Sequence, residues 1–266
     1  MKESNTYENE NVLLGLSGGI NSMAILCQLH ELGIKPKGLY IFYAHFKEHS
    51  PDTFKFVEDG IDFAKKHFDN VHVKITHNSI IDFFESENII PHPANSPCSK
   101  RLKIQTANTW AFENDIKIDL VGYVKHELKR RANRQAKSVE VDLFALVKHY
   151  PIGEFTDAWC FDIVKKHIGW YPAIYDILWS EDDYLEGLCQ KRDIGKRVFT
   201  HNNCLPCKNM NEKDMLAVKK YFPLYHLEAM KLSARLSKYW GRDEVSFYTT
   251  FGRELGQEST CGDCKL

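Results

Sequence analysis

Neither a long apolar run nor an excess of charge of one sign is found in this chain of 266 residues. No segment approaches the roughly 18 consecutive apolar residues of a membrane-spanning helix. The polar, acidic start from Met1 to Glu10 lacks the pattern of a secretory signal peptide. We therefore expect a cytoplasmic protein with no membrane partner. The 35 Lys and Arg residues balance 36 Asp and Glu residues, which excludes a general positive field that would coat nucleic acid.

What the chain does have is a strand, a small turn and a helix in its first 32 residues. An apolar run from Val12 to Leu16 leads into residues 17–22, Ser-Gly-Gly-Ile-Asn-Ser, and then into an apolar-periodic segment. This opening loop, residues 17–22, lacks both the Gly-Lys-Ser/Thr ending and the GxGxxG spacing of other phosphate-binding loops. Adjacent glycines let backbone N–H groups approach a ligand, and a helix N-terminus attracts anions. We therefore predict an anion site there.

Strands and helices alternate through the first 150 residues. Further apolar runs predict strands at 38–43, 71–75 and 118–123, with helices between them. Continuous apolarity is typical of strands that are buried on both faces. The predicted fold is α/β, a doubly wound and mostly parallel sheet, with ligands at the carboxyl ends of the strands. Tyr43 and Gly122 lie at two such ends, so we expect them beside the opening loop.

We divide the chain into a nucleotide-binding α/β domain, residues 1–150, and a helical, cysteine-bearing region, residues 151–266, packed on it. Asn211 to Trp240 is strongly helical in pattern and is divided by Pro223. Its apolar residues, which include Leu224, Leu227 and Met230, are expected to pack against the first domain.

Eight cysteines in a chain expected to be cytosolic favour metal or redox roles over disulfides. Two pairs have the spacing CxxC: Cys204 with Cys207, and Cys261 with Cys264. Together with Cys98 they provide five thiols, and four can form a tetrahedral site for zinc or an iron-sulfur cluster. The other three cysteines lie in apolar-periodic segments and are predicted to be core residues: Cys27, Cys160 and Cys189.

Two basic segments accompany these features. Cys98 begins a helix beside Lys100 and Arg101, a setting that favours a thiolate for metal ligation or nucleophilic attack. A second cluster follows Gly122 and includes Arg131, whose guanidinium suits paired hydrogen bonds to phosphate or sulfate. A solvated helix face is the competing interpretation of that cluster, and a tRNA or DNA backbone is a third.

The opening loop resembles the Ser-Gly-Gly-x-Asp-Ser pyrophosphate loop of the adenine nucleotide α-hydrolase superfamily. Ser17, Gly18, Gly19 and Ser22 match, and Asn21 stands where that family has Asp. The later motifs, from Cys98 and the Gly122 segment to Tyr171–Leu178 and the Cys204–Cys207 knuckle, follow the order of its phosphoadenosine phosphosulfate reductase-like branch. The match spans most of residues 11 to 210.

This resemblance implies ATP or a sulfonucleotide as the ligand, with Mg²⁺ as the accompanying cation. It implies nucleotide binding by the opening loop, Tyr43, Gly122, Lys100, Arg101 and Arg131. It also implies an iron-sulfur cluster or zinc ion on Cys98, Cys204 and Cys207, with Cys264 or Cys261 as the fourth ligand or with one iron left open.

Three functions follow from the resemblance. The first is an ATP-dependent enzyme that adenylates or sulfurates an acceptor, which could be a small molecule, tRNA or DNA. The second is a sulfonucleotide reductase that needs a thiol reductant and uses Cys261, in a tail resembling the family's Glu-Cys-Gly-x-His ending, as the nucleophile. The third is a catalytically inactive nucleotide-binding subunit of a DNA-modification or phage-defence assembly, in which Asn21 marks the lost chemistry.

Overall fold

A computed structural model describes residues 7–90, 96–129, 146–205, 207, 210 and 212–241. The strands are β1 (Asn11–Gly15), β2 (Gly38–Phe46), β3 (Val71–Asn78), β4 (Ile118–Leu120) and β5 (Val147–His149). The α-helices with defined bounds are α1 (Ile20–Glu31), α2 (Thr53–His67), α3 (Ile80–Ser86), α4 (Pro97–Ser99), α5 (Thr106–Glu113), α6 (Asp157–His167), α7 (Glu181–Leu185), α8 (Glu212–Tyr221) and α9 (Pro223–Trp240). A π-helical turn, Lys100–Gln105, joins α4 to α5.

The five strands form one parallel sheet in the order β3-β2-β1-β4-β5. The chain starts at the centre of this sheet, winds to one edge through β2 and β3, and then returns to the other side with β4 and β5. The direction reverses between β1 and β4, which is the position where doubly wound sheets bind ligands. The predicted fold class is therefore confirmed.

Burial explains why the central strands are apolar throughout. All residues of β2 are buried except His45, which is half-buried. Leu14 of β1 pairs with Ile41 of β2 on one side and with Leu120 of β4 on the other. Helices cover both faces of such a sheet, so polar residues have no outward face to occupy.

The strand β5 was not predicted from the sequence. It lies at the edge of the sheet and pairs only through Ile118 to Leu120 of β4. The side chain of Val147 is exposed. A short edge strand buries little surface, so its sequence contains no apolar run that would predict it. Its backbone hydrogen bonds to β4 define it as a strand.

The later half of the chain contains the helices α6, α8 and α9. The helix α6 packs against α1, so a segment beyond residue 150 contacts the first helix of the sheet. Pro223 begins α9, which confirms the predicted break between two helices. The predicted packing of Leu224, Leu227 and Met230 is wrong, because all three are exposed. Leu232 and Leu236, which the same helical pattern predicts to pack, are buried on α9 together with Ala229.

Two cysteines were predicted correctly as core residues. Cys27 and Cys160 are fully buried, and burial raises the pKa of each thiol to about 12. Cys189 is only half-buried. Among the described helices, none is long and apolar enough to cross a membrane.

Candidate functional site

The opening loop follows β1 at the carboxyl edge of the sheet, and its shape depends on Gly18. Gly18 has a φ angle of +79°, which L side chains rarely adopt. A Cβ atom at this position would lie 2.4 Å from Cγ2 of Thr53, at the start of α2. Both the backbone angle and the neighbouring side chain therefore require glycine.

The two serines of the opening loop hold it in a closed turn. The backbone N–H of Ser17 donates to Oγ of Ser22 over 3.1 Å, and the Ser22 hydroxyl donates to the Gly19 carbonyl over 3.0 Å. The Ser17 and Ser22 hydroxyls are also 3.1 Å apart, and the Gly19 N–H donates to Oγ of Ser17 over 3.3 Å. These bonds shape a turn around the start of α1.

The start of α1 lines the loop cavity, and the N–H groups of Gly19 and Ile20 already donate to the Ser17 and Tyr175 hydroxyls. Gly19 is the N-cap and has no side chain with which to accept from the first turn. The first N–H groups of any helix have no partner within the helix. At Gly122, just after β4, a Cβ atom would lie 3.2 Å from the backbone nitrogen of Ser22. Glycine at 122 therefore lets the end of β4 approach the start of α1 closely.

Asn21 lies in this first turn and carries an unsatisfied atom. Its Oδ1 is buried and accepts no hydrogen bond from the residues that the structure describes. A buried amide oxygen without a donor costs about 1–3 kcal/mol. This oxygen is therefore available to a donor or cation that arrives with a ligand.

Three cavities meet at Lys103, which lies in the π-helical turn. The loop cavity lies against the opening loop and Gly122, and its later wall contains Tyr175, Thr200, His201, Asn202 and Asn203. The strand-end cavity is lined by Gly15, Leu16, Ser17, Phe42 and Ala44. Lys103 lines both, and its ammonium group lies 5.0 Å from the centroid of the Phe46 ring.

The third cavity, the thiol pocket, brings together three predicted cysteines. Cys98, Cys204 and Cys207 line it with Phe46, Ile80, Phe84, Ser99, Lys103 and Asn203. All three cysteines are buried. The walls are largely apolar, a setting that keeps water away from sulfur. Lys103 and Asn203 belong to this pocket and to the loop cavity alike.

The three thiols do not by themselves make a metal centre. Within the described residues, no group of three or more His, Cys, Asp or Glu side chains stands close enough to hold an ion. The residues present thus supply suitable soft ligands but not a ligating arrangement. The predicted cluster or zinc ion stays a prediction.

The knuckle that carries two of these cysteines is tied to the loop after β2. The backbone N–H of Leu205 donates to the Glu48 carbonyl oxygen over 2.6 Å. The Glu48 carboxylate in turn accepts from the Ser79 hydroxyl and from the N–H groups of Ile80 and Ile81, at the start of α3. Hydrogen bonds from the backbone N–H groups of Leu205, Ile80 and Ile81 to Glu48 thus hold two walls of the thiol pocket together.

A second group of ionisable residues lies beside the thiol pocket, where the His49 ring packs on Phe46 with centroids 5.4 Å apart. The Tyr43 hydroxyl is 3.1 Å from Nδ1 of His45 and 3.1 Å from Nδ1 of His49. Burial is the main cause that lowers the pKa of His49 well below its ordinary value, and the charges of Lys103 and His45 add to it. Burial, and then Cys204, raise the pKa of Tyr43. His49 is therefore a neutral imidazole at pH 7.

The structure separates the predicted binding residues into three groups. Ser17, Gly19, Asn21, Ser22 and Gly122 line the loop cavity together, and the carbonyl of Gly18 faces Asn202 behind it.

Three others lie away from the cavities. Tyr43 is on β2, where side chains alternate between faces; Phe42, Ala44 and Phe46 line the cavities, and Tyr43 does not. Lys100 is exposed, and Arg101 pairs with Glu87 over 2.8 Å at the surface. Arg131, Cys261 and Cys264 lie outside the described residues.

Four residues of the site were not singled out from the sequence: Lys103, Tyr175, Asn202 and Asn203. Lys103 stands in the basic run after Cys98, and the two asparagines directly precede the Cys204–Cys207 knuckle. Proximity to a cysteine motif was the signal that could have found these three. Tyr175 lies within the Tyr171–Leu178 motif, but that motif does not show that its hydroxyl contacts the start of α1, which only folding decides.

Comparison with known proteins finds similar structures but no matching sequence family. No protein-family model matches the chain, and no curated protein matches it at significance. U34-tRNA thiolase NcsA from Methanococcus maripaludis, solved with its [4Fe-4S] cluster, matches 97% of this chain and 80% of its own, with 13% identity and a TM-score of 0.46. Phosphoadenylyl-sulfate reductase from Candida auris matches 63% and 76%, with 16% identity and a TM-score of 0.38. NMN synthetase from Francisella tularensis matches 85% and 87%, with 13% identity and a TM-score of 0.40.

These structures share an overall similarity with this chain and nothing finer. With identities of 13 to 16% and TM-scores below 0.5, they do not identify an activity for this chain. The class that its own sheet defines is a doubly wound α/β protein with its site at the reversal of strand order.

Proposed function

We propose that this chain is a nucleotide-dependent sulfur-chemistry enzyme that binds ATP at the opening loop and adenylates or sulfurates an acceptor. The observation that carries the proposal is the shared wall of two cavities. Lys103 and Asn203 line both the loop cavity and the thiol pocket. A phosphate group held by the loop would therefore lie next to the thiol pocket.

The chain's own residues suit the binding step. Asn21 and Ser22, in the first turn of α1, line the loop cavity, and a helix N-terminus attracts anions. Lys103 also lines the loop cavity, and its positive charge favours an anionic ligand there. Charge that develops on a departing pyrophosphate is stabilised by donors already in place, which is the main electrostatic contribution in such sites.

The proposed reaction has two balanced steps. An oxygen of the acceptor attacks the α-phosphorus of ATP, the bond to the β-phosphate oxygen breaks, and pyrophosphate leaves. The acceptor then carries AMP. In the second step, hydrosulfide from an external sulfide source attacks the carbon that carries the activated oxygen, a carbon–sulfur bond forms, the carbon–oxygen bond breaks and AMP leaves. The thiol pocket is where that sulfide is held away from water. The acceptor is a small molecule, tRNA or DNA.

Binding and turnover are measured separately. Equilibrium dialysis with labelled ATP is expected to show saturable binding, and a pyrophosphate assay with sulfide and candidate acceptors is expected to show release. Cys204→Ser should retain ATP binding and lose sulfur transfer, whereas Cys189→Ser, a half-buried cysteine outside the thiol pocket, should retain both. Absence of ATP binding would contradict the proposal.

A second candidate is an inactive nucleotide-binding subunit, which the unsatisfied Oδ1 of Asn21 favours. An amide in place of a carboxylate holds Mg²⁺ less well, because hard cations prefer charged oxygen ligands. Tight ATP binding without pyrophosphate release from any acceptor would support this candidate. Sulfite release from a sulfonucleotide in the presence of a thiol reductant would instead support the reductase prediction, whose nucleophile Cys261 is outside the described residues.

A further inference from the structure

The hydroxyl of Tyr175 joins two segments that are far apart along the chain. Tyr175 lies in a 3-10 turn, Ala173–Asp176, and its side chain is buried. Its oxygen accepts the backbone N–H of Ile20 over 3.3 Å and the backbone N–H of Asn202 over 3.1 Å. One phenol oxygen thus holds the first residue of α1 and a residue two positions before Cys204.

The side chain of Asn202 makes a second connection between the same segments. Its Nδ2 donates to the Gly18 carbonyl over 3.0 Å and to Oγ1 of Thr53 over 2.8 Å. Its Oδ1 accepts from the Ser50 hydroxyl over 3.3 Å. Asn202 is buried. The opening loop, the start of α2 and the segment before the knuckle therefore meet at one amide.

These contacts leave little room for independent movement. The methyl group of Thr53 occupies the space beside Gly18, and buried polar groups lose stability when they separate without new partners. A displacement of residues 18–20 by a bound phosphate must therefore carry Asn202 with it, or break bonds that water cannot replace in a buried site.

We propose that Tyr175 and Asn202 are positioning residues that couple occupancy of the opening loop to the position, and hence the reactivity, of Cys204. The coupling rests on the proposed function insofar as ATP is the ligand of the loop. The connection itself is a property of the ligand-free chain. Neither residue is assigned contact with the reacting atoms.

The first test uses the protein without nucleotide. Tyr175→Phe removes only the shared oxygen, so amide hydrogen exchange should accelerate in peptides covering residue 20 and residue 202 together. Tyr171→Phe is the matched control, because Tyr171 packs on the same Phe161 ring, with centroids 5.0 Å apart, and makes the same chemical change. Acceleration in only one of the two peptides, or equally in the control, would overturn the connection.

The second test measures coupling. The rate of Cys204 alkylation by N-ethylmaleimide is followed by mass spectrometry with and without ATP. We expect a change of about fivefold or more in the unmodified protein, within the usual range for coupled sites. In Tyr175→Phe and in Asn202→Asp, which keeps the shape of the side chain but loses its donor, the ratio should fall towards one at saturating ATP.

The outcomes separate the two proposals. If ATP does not bind the unmodified chain, the proposed function fails, and the exchange experiment still decides the connection. If ATP binds but leaves Cys204 alkylation unchanged, or if both variants keep the full ratio, the coupling is wrong and the proposed function stands. Thermal unfolding of each variant confirms that the compared proteins are folded.

Discussion

Cys98 and Lys103 line the same pocket although five positions separate them. In an α-helix of 3.6 residues per turn, residues five apart point to different faces. The π-helical turn at Lys100–Gln105 widens the helix at this point, and its i to i+5 hydrogen bonding brings such residues towards one face. This local departure from α-helical geometry places Lys103 in the walls of both the thiol pocket and the loop cavity.

Replacement of Lys103 by glutamine should weaken binding of ATP and of inorganic pyrophosphate by about 10- to 100-fold. The loss corresponds to a charged hydrogen bond of about 1.5–3 kcal/mol. Isothermal titration calorimetry measures it. Lys100→Gln is the matched control, because Lys100 lies in the same turn but is exposed. Equal losses in the two variants would show a general charge effect and contradict a specific role for Lys103.

The substitution Gly18→Ala should abolish detectable ATP binding and lower the free energy of unfolding. Two costs combine: a positive φ angle, of about 1–2 kcal/mol, and overlap with the Thr53 methyl group. Gly169→Ala has only the first of these costs, because Gly169 has a φ of +91° and nothing lies within 4 Å of its Cβ position. Urea unfolding should therefore show the larger loss for Gly18→Ala. A loss no larger than that of Gly169→Ala would argue against close packing at the loop.

A carboxylate restored by Asn21→Asp should make nucleotide binding depend on Mg²⁺. Without the cation, the added negative charge beside the loop repels phosphate, so affinity should fall below that of the unmodified chain. With Mg²⁺ the carboxylate gains a suitable partner, and affinity should recover. Titrations of ATP with magnesium and with EDTA measure the difference. A variant that responds to Mg²⁺ no more than the unmodified chain would contradict this role for position 21.

The buried His49 should make the protein less stable in acid. Its pKa is lowered in the folded state, whereas an unfolded histidine titrates near 6.5. The unfolded chain therefore takes up the proton first as the pH falls. Stability should be fully present above about pH 6.5 and should decrease below it, by up to about 1.4 kcal/mol per pH unit for one such group.

Urea unfolding at several pH values between 7.5 and 5.5 tests this expectation. His49→Asn keeps a polar atom near the Tyr43 hydroxyl and should reduce the slope of stability against pH. The slope should not vanish, because burial also lowers the pKa of His30, His45 and His226. An unchanged slope in His49→Asn would contradict the assignment.

The sheet and the opening loop were predictable because their signals are local. Continuous apolar runs at residues 12–16 and 38–43 follow from burial on both faces, and the glycine pair follows from the turn that it must adopt. The exposed apolar face of α9 and the edge strand β5 could not be predicted in the same way. The spacing of apolar residues does not show whether another element covers them, and it does not show which strands pair at the edge of a sheet. The spacing of Leu224, Leu227 and Met230 predicts a helix, but it does not show whether another element covers that face of the helix.

The sequence by itself determined the strand, the turn and the helix around Ser17 to Ser22, together with the alternation that predicts a parallel sheet. It also supplied the three cysteines that share a pocket. Only the tertiary structure decided that Lys103, rather than Lys100 or Arg101, lines the site, and that Tyr175 and Asn202 hold the opening loop. These choices depend on a widened helical turn and on hydrogen bonds between residues more than 150 positions apart. Chain folding brings such residues together, and no local pattern records it.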